Sequence, residues 1–383
     1  MIERMIDLSL VRAFLEPHHL ELGERLPNLA ARELSGGHPE DDAEARARAV
    51  DICRLLGAGD WLEPIRAQDF RACCVTREVL AAASPLADAM FALQALGTTP
   101  IALAGTAEQR RAWLEPALAG EAVAAFAMTE AEAGFDVAAI ATTARREGEE
   151  YVLDGSKTLI SNAGIADFYV LFASTDEEAG SRGLTAFVVP ADADGFRFVR
   201  PLVMSDPQPL GEIALEGCRV PASNRLGDEG DGFKLGMATL DRLRPTVGAA
   251  ACGMAAHALE EATRHARGRK QFGRPLAGFQ LIQEKLGRMA TDLTAARLLV
   301  YRAAWERDGG ADRTDVEAAM AKAFATEMAQ RVVDDAVQIV GGRGVLAEHP
   351  VDRLYRAVRA LRIYEGTTEI QRLIVARHLI EGP

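Results

Sequence analysis

Glu150-Tyr-Val-Leu-Asp-Gly-Ser-Lys-Thr-Leu-Ile160 is the stretch on which the fold turns. It sets Asp154-Gly155 between two short apolar runs, a pattern that predicts a hairpin. Further strand candidates follow at residues 168–173, 184–189, 196–199 and 212–215, at the spacing of an antiparallel barrel or sandwich. No helix-length apolar pattern intervenes, which disfavours a doubly wound parallel sheet.

Both flanks read as helical. Residues 1–120 are rich in Ala, Leu, Glu and Arg, with isolated breakers at Pro27, Pro85 and Pro100, a composition that favours helix. Ser84-Pro85 reads as an N-cap followed by an N1 proline, and Gly120 closes the region. Gly227-Asp-Glu-Gly-Asp-Gly232 follows no βαβ unit and reads as a connecting turn, not a dinucleotide loop. Beyond it Phe279, Ile282, Leu286, Met289, Leu293, Ala296 and Val300 alternate by three and four. That is a bundle seam. Its helix should stop at Gly309-Gly310, Thr314-Asp-Val-Glu317 should open the next with a capping box, and Gly341-Gly342 should end that one. The expectation is an α+β chain with a helical N-terminal domain at 1–120, a central antiparallel β-barrel or sandwich at 121–227, and a C-terminal helical bundle at 228–383.

With 383 residues, 49% hydrophobic and 26% charged, the chain has the composition of a folded protein with a sizeable core. Its 43 basic and 56 acidic residues leave a net charge of −13, which argues against a nucleic-acid partner. Cys53, Cys73, Cys74, Cys218 and Cys252 are odd in number and scattered, so reduced thiols fit better than a disulfide framework or a zinc site. The start has no apolar core of a signal peptide, and no run reads as a membrane span. A cytoplasmic protein without membrane insertion is expected.

GxSxG, Walker and HExxH motifs are absent. His18 and His19 are expected to diverge on a helix, and no metal site is expected. One segment resists a packing explanation: Ile363-Tyr-Glu-Gly-Thr-Thr-Glu-Ile-Gln-Arg372. It puts Glu365 between an apolar helical end and Gly366, with Thr367 able to cap a last helix whose Ile370, Leu373 and Ile374 face inward. Apolar neighbours at such a junction raise a carboxyl pKa and can position it as a base. A surface glutamate beside a helix-ending glycine satisfies the same pattern.

Tyr364-Glu-Gly-Thr-Thr-Glu-Ile-Gln371 resembles the catalytic signature of the acyl-CoA dehydrogenases. Phe126-Ala-Met-Thr-Glu130 with Gly134-Phe-Asp136 resembles their first flavin-contact segment. Arg269-Lys-Gln-Phe-Gly273 resembles their Arg-x-x-Phe-Gly motif, and Gln338-Ile-Val-Gly-Gly342 their late glycine pair. The four come in the family order and span nearly the whole chain.

The resemblance implies an FAD enzyme that oxidises an acyl thioester across its α and β carbons, on coenzyme A or on a carrier protein. Glu365 matches the base that removes the α proton, and flavin N5 accepts the β hydride. Arg244 resembles an arginine near that carboxylate, and Tyr364 and Gly366 match substrate contacts. The alternative family position for the base is Leu243 here, which accepts no proton. Phe126, Met128 and Thr129 match flavin-lining positions, Ser161 a hydroxyl that approaches N5, and Gly134 a backbone contact in the phosphate region. Two positions depart: Leu159 stands where the family has tryptophan, and Phe135 where it has serine. Arg269, Phe272, Gln280, Gln338 and Gly342 match residues that reach the adenosine-diphosphate half of a neighbouring subunit's flavin. Thr367 and Glu369 match the remaining cofactor contacts. A homotetramer or dimer is implied, with an electron-transfer flavoprotein as acceptor. A flavin-binding relative without dehydrogenase activity is the reading from a different class.

Overall fold

A computed structural model describes residues 6–34, 37–311 and 313–382. Helices come first: α1 (Pro17–Glu33), α2 (Asp42–Ala58), α3 (Glu63–Ala67), α4 (Phe70–Ala83), α5 (Pro85–Ala104), α6 (Ala107–Gln109) and α7 (Glu115–Leu118). Strands follow: β1 (Ala124–Ala127), β2 (Thr143–Glu147), β3 (Glu150–Ser161), β4 (Phe168–Ser174), β5 (Leu184–Pro190), β6 (Phe196–Pro201), β7 (Leu210–Pro221) and β8 (Arg225–Leu226). Next come α8 (Gly232–Gly268) and the short pair β9 (Lys270–Gln271) and β10 (Arg274–Pro275). The chain ends in α9 (Gln280–Asp308), α10 (Asp315–Val340), α11 (Pro350–Leu361) and α12 (Thr368–Glu381). The α, β, α succession is the expected one. Compactness cuts across it: residues 39–67 with 89–240 form one unit, and residues 1–38, 68–88 and 241–383 the other.

In the first unit the sheet runs β6-β7-β3-β2-β4-β5-β8, with β1 also paired to β4. Its two ends stay apart, so it is an open sheet and not a closed barrel. Most neighbours are antiparallel, but β1 and β2 both lie parallel to β4, with Ala124 opposite Phe168 and Thr143 opposite Ser174. Strand β4 is buried along its whole length, and Phe168, Val170 and Phe172 join Ile101, Met128 and Leu235 in the core.

The hairpin is not where the sequence suggested. The chain turns at Gly148-Glu149, between β2 and β3, and β3 runs on through Asp154-Gly155. There its register against β7 shifts, as at a β-bulge. Gly155 answers a close approach instead of a turn: a Cβ on it would lie 2.6 Å from Thr142 Oγ1.

In the second unit the seam buries Met289, Leu293, Ala296 and Val300 of α9, and α9 packs on α10. A Cβ on Gly248 of α8 would lie 2.6 Å from Val300 Cγ2, so glycine there permits close helix packing. Glu78, fully buried on α4, accepts from Arg297 Nε at 2.6 Å and from the Tyr301 hydroxyl at 2.9 Å. Two expectations need correction. Thr314 precedes α10 but makes no side-chain cap bond, and its Oγ1 is buried without a partner. On α12, Ile370 and Ile374 are half-buried while Leu373 is exposed. Helix α5 also departs from the expectation of no span-length run. Its length and composition would suit a membrane, yet 78% of its apolar window is buried inside the protein, as in a core helix.

Candidate active site

Glu365 lies in the turn joining α11 to α12, held at φ +55°. That left-handed conformation is costly for a residue with a Cβ, and it persists only where surroundings fix it. The fixing groups are visible. The Glu365 carbonyl accepts from Arg244 Nε at 3.2 Å and Gln371 Nε2 at 3.1 Å. The Gly366 carbonyl accepts from Lys322 Nζ at 2.7 Å and Gln371 Nε2 at 3.1 Å. Thr367 caps α12 through Ile370 N, as its position suggested.

The carboxylate itself is left without a bond at one oxygen: Oε2 is buried and unpartnered. Burial raises the Glu365 pKa above the ordinary carboxylate range, against the opposing charges of Arg77, Lys322 and Arg244. Arg77 is buried and paired with Asp88 at 2.7 Å, and Arg244 is paired with Asp241. Tyr364 is 38% exposed. Position 243 is a buried leucine, so Glu365 has no rival carboxylate there. An acid with an orphaned oxygen, high proton affinity and rigid backbone can take a proton from carbon.

Phe126, Met128, Thr129, Leu159 and Ser161 belong to the sheet unit, where β1 and the end of β3 come together. Thr158 N donates to the Thr129 carbonyl at 3.0 Å. Lys157, fully buried, donates to the Met128 carbonyl at 3.2 Å and pairs with Glu130 at 2.7 Å. Burial pulls Lys157 down to about 8, partly offset by Glu130. Burial raises Glu130, but Lys157 and hydrogen bonds from Thr142 and Ala141 outweigh it and hold the carboxyl low.

Leu159 is 58% exposed at φ +55°, and Phe126 rests on Phe172 with ring centroids 4.9 Å apart. The hydroxyls of Thr129 and Ser161 engage no other described residue. Gly134 is exposed with nothing near a Cβ, and Phe135 is 65% exposed.

Arg269, Phe272 and Gln280 form a third group around the β9–β10 pair. Phe272 is 93% exposed at φ +49°, and Arg274 covers the Phe279 ring at 4.1 Å. Gln338 and Gly342 are exposed at the end of α10. Burial and then neighbouring charges, the guanidiniums of Arg269, Arg343 and Arg264 among them, hold the His265 pKa down, so positive charge gathers there. Glu369 is exposed on the first turn of α12.

Sequence reasoning passed over Lys322, Arg77, Gln371 and the Lys157–Glu130 pair. The available signal was a lone charge inside an apolar run, as in Ala321-Lys-Ala-Phe-Ala325. It also misjudged His18 and His19. Their rings lie 3.8 Å apart and both Nε2 atoms meet Asp69, at 2.9 and 3.0 Å. His19 Nδ1 accepts from Glu16 N, so its Nε2 carries the proton and donates to Asp69. The trio pins α1 to the start of α4.

The acyl-CoA dehydrogenase N-terminal, middle and C-terminal domains match residues 65–121, 125–218 and 230–380. A probable acyl-CoA dehydrogenase of Mycobacterium tuberculosis, FadE25, is 36% identical over 376 residues, 96% of each chain. The chain belongs to the acyl-CoA dehydrogenase family. It is an oxidoreductase acting on CH–CH groups, of a family that implies a flavin cofactor. The 3-(aryl)acrylate reductase of Clostridium sporogenes is 46% identical over 288 residues, 74% of this chain and 75% of that one. Among solved structures, butyryl-CoA dehydrogenase from Megasphaera elsdenii superposes with a TM-score of 0.83 at 34% identity, over 97% of this chain and 98% of that one. The prolyl acyl carrier protein oxidase AnaB gives 0.87 at 29% identity, over 95% and 99%. A flavin fits the sheet unit's donor set: the unengaged hydroxyls of Thr129 and Ser161, with the half-buried Phe126 and the exposed Leu159 as apolar neighbours on the same segments.

Proposed function

We propose that this acyl-CoA dehydrogenase family member removes hydrogen across the α and β carbons of an acyl thioester, with Glu365 as base and FAD as cofactor. The observation that carries the reading is the buried, unpartnered Glu365 Oε2 in a backbone conformation three donors hold fixed. Glu365 takes the α proton onto that oxygen. Arg244, bonded to the Glu365 carbonyl, holds the turn in place during transfer. Tyr364 and Gly366 contact the thioester, and the Glu365 N–H donates to its carbonyl oxygen, where negative charge develops. Preorganised donors of this kind are worth about 3–4 kcal/mol each. Thr129 and Ser161 would hold the flavin ring by hydroxyl bonds, with Phe126, Met128 and Leu159 against it and Gly134 and Phe135 near its phosphates. The flavin, when bound, supplies the sink for the two electrons that leave with the β hydrogen.

Arg269, Phe272, Gln280, Gln338 and Gly342 would serve the adenosine-diphosphate half of a neighbouring copy's FAD, and Thr367 and Glu369 its remaining contacts. The cationic surroundings of His265 support this assignment. It entails a homotetramer or dimer, and a monomer that keeps full FAD occupancy would refute it. Residues 1–120, 121–227 and 228–383 remain our reading of the domains, with an electron-transfer flavoprotein as acceptor. A carrier-bound acyl group is the second reading, favoured by the likeness to AnaB. The likeness to 3-(aryl)acrylate reductase directs the thioester screen to aryl as well as aliphatic groups.

Anaerobic single-turnover flavin reduction by Glu365→Gln tests the base. The variant should bind FAD and thioester, yet reduce the flavin about 10²–10⁴-fold more slowly. Near-equal rates at matched FAD occupancy would move the base elsewhere.

A further inference from the structure

We propose that Lys322 is a positioning residue for Glu365: from α10 it clamps the Gly366 carbonyl and keeps an uncompensated positive charge beside the carboxylate. The inference rests on the reading of Glu365 as base.

Lys322 is fully buried, and its 2.7 Å bond to the Gly366 carbonyl fixes the residue after Glu365. No carboxylate among the described residues forms an ion pair with its Nζ. A buried ammonium lacking a close counter-ion is expensive. The molecule shows the cheaper arrangement at Lys157, which has Glu130 at 2.7 Å. The two arginines that also act on Glu365 among the described residues are each compensated. Arg77 of α4 is paired with Asp88 of α5, and Arg244 of α8 with Asp241. Among the acids nearby, Glu327 of α10 is engaged by Arg362 and Thr368. Glu369 of α12 is exposed.

The field of Lys322 therefore falls on Glu365 with little local cancellation. Burial pulls Lys322 itself down to about 8, with Glu365 the leading charge that opposes the fall. Each group opposes the other's loss of charge. Burial already raises Glu365 against the opposing cations; without Lys322 that rise would be opposed less, and the base would stay protonated to still higher pH.

Two substitutions separate charge from clamp. Lys322→Met removes both, whereas Lys322→Gln can still donate to the Gly366 carbonyl. The holoenzyme's anaerobic flavin reduction is measured against pH with a saturating thioester, beside Glu365→Gln. In both Lys322 variants the acid limb should move up by about one unit or more, lowering the rate on that limb about tenfold. The rate should recover as pH is raised. Lys322→Arg should restore part of the wild-type profile. In ligand-free protein the Glu365 carboxyl carbon resonance, identified by its loss in Glu365→Gln, should titrate at higher pH in Lys322→Gln.

An unmoved acid limb in Lys322→Gln, with Glu365→Gln inactive, would overturn the role of Lys322 and leave the base in place. The same holds for a pH-independent loss of rate, which a structural role would give. Activity retained by Glu365→Gln would overturn both. Should Lys322→Met fail to fold, the Gln and Arg variants decide.

Discussion

Glu365 and Leu159 share a backbone angle, φ +55°, and each lies near a buried lysine that donates to a main-chain carbonyl. The resemblance ends at the lysine's partner. Lys157 is neutralised by Glu130, whose oxygens also accept from Ala141 N and Thr142 N. Lys322 has no such pair, and the carboxyl it faces keeps one oxygen unbonded. The sheet unit closes its charges into a structural network and presents an apolar side chain outward. The bundle unit leaves Lys322 without an ion pair among the described residues, near a carboxyl that, on the proposed reading, takes up a proton. A closed network resists exchange of a proton, whereas an open one is primed for it.

The largest expected effect breaks the closed network. Glu130→Gln should leave Lys157 buried without its counter-charge and lower stability by roughly 3–5 kcal/mol. A fall in the urea midpoint of the sheet unit reads this, and an unchanged midpoint would mean the pair is not load-sharing. Next comes the unengaged hydroxyl on the same segment. Thr129→Val keeps the shape and should cost about 1 kcal/mol of flavin binding, near fivefold in Kd. Equilibrium dialysis that finds equal affinity would remove Thr129 from the cofactor site. Smaller again is the strain at Leu159. Leu159→Gly relieves the left-handed angle at an exposed position but adds unfolded-state freedom, for a net gain of about 0.5 kcal/mol. Lower thermal stability of the cofactor-free variant would show that the leucine earns its angle by packing.

The asymmetry between the regions also explains what the sequence allowed one to read. Helix, strand and helix were legible because apolar spacing and breakers are local, and the seam from Met289 to Val300 needed nothing else. Glu365 was legible as a junction carboxylate, since its neighbours Gly366 and Thr367 announce a helix start. The hairpin was misplaced because Asp154-Gly155 looks like a turn, while the cause of that glycine, Thr142, lies across the sheet. Lys322 is 43 positions before Glu365. Only the packing of α10 on the turn brings its ammonium to the Gly366 carbonyl. His18 and His19 failed for the same reason, because Asp69 draws both rings together from another helix.

The smallest signal is a slope, and it sets the two carboxyls against each other. Glu365 has a raised pKa in the folded state, so between the ordinary carboxylate range and that value the folded chain holds more protons than the unfolded one. Stability must then fall as pH rises through the window. Glu130 has a lowered pKa, so its contribution is present above the ordinary range and is lost as pH falls. Glu365→Gln should therefore gain stability over wild type as pH rises toward neutrality, at the expense of reduction rate. Glu130→Gln should lose stability relative to wild type over the same rise. Urea titrations of the cofactor-free proteins at stepped pH give both differences. If the two differences share a sign, the contrast drawn between open and closed charge networks fails, because Glu365 would then be stabilised in its ionised form just as Glu130 is.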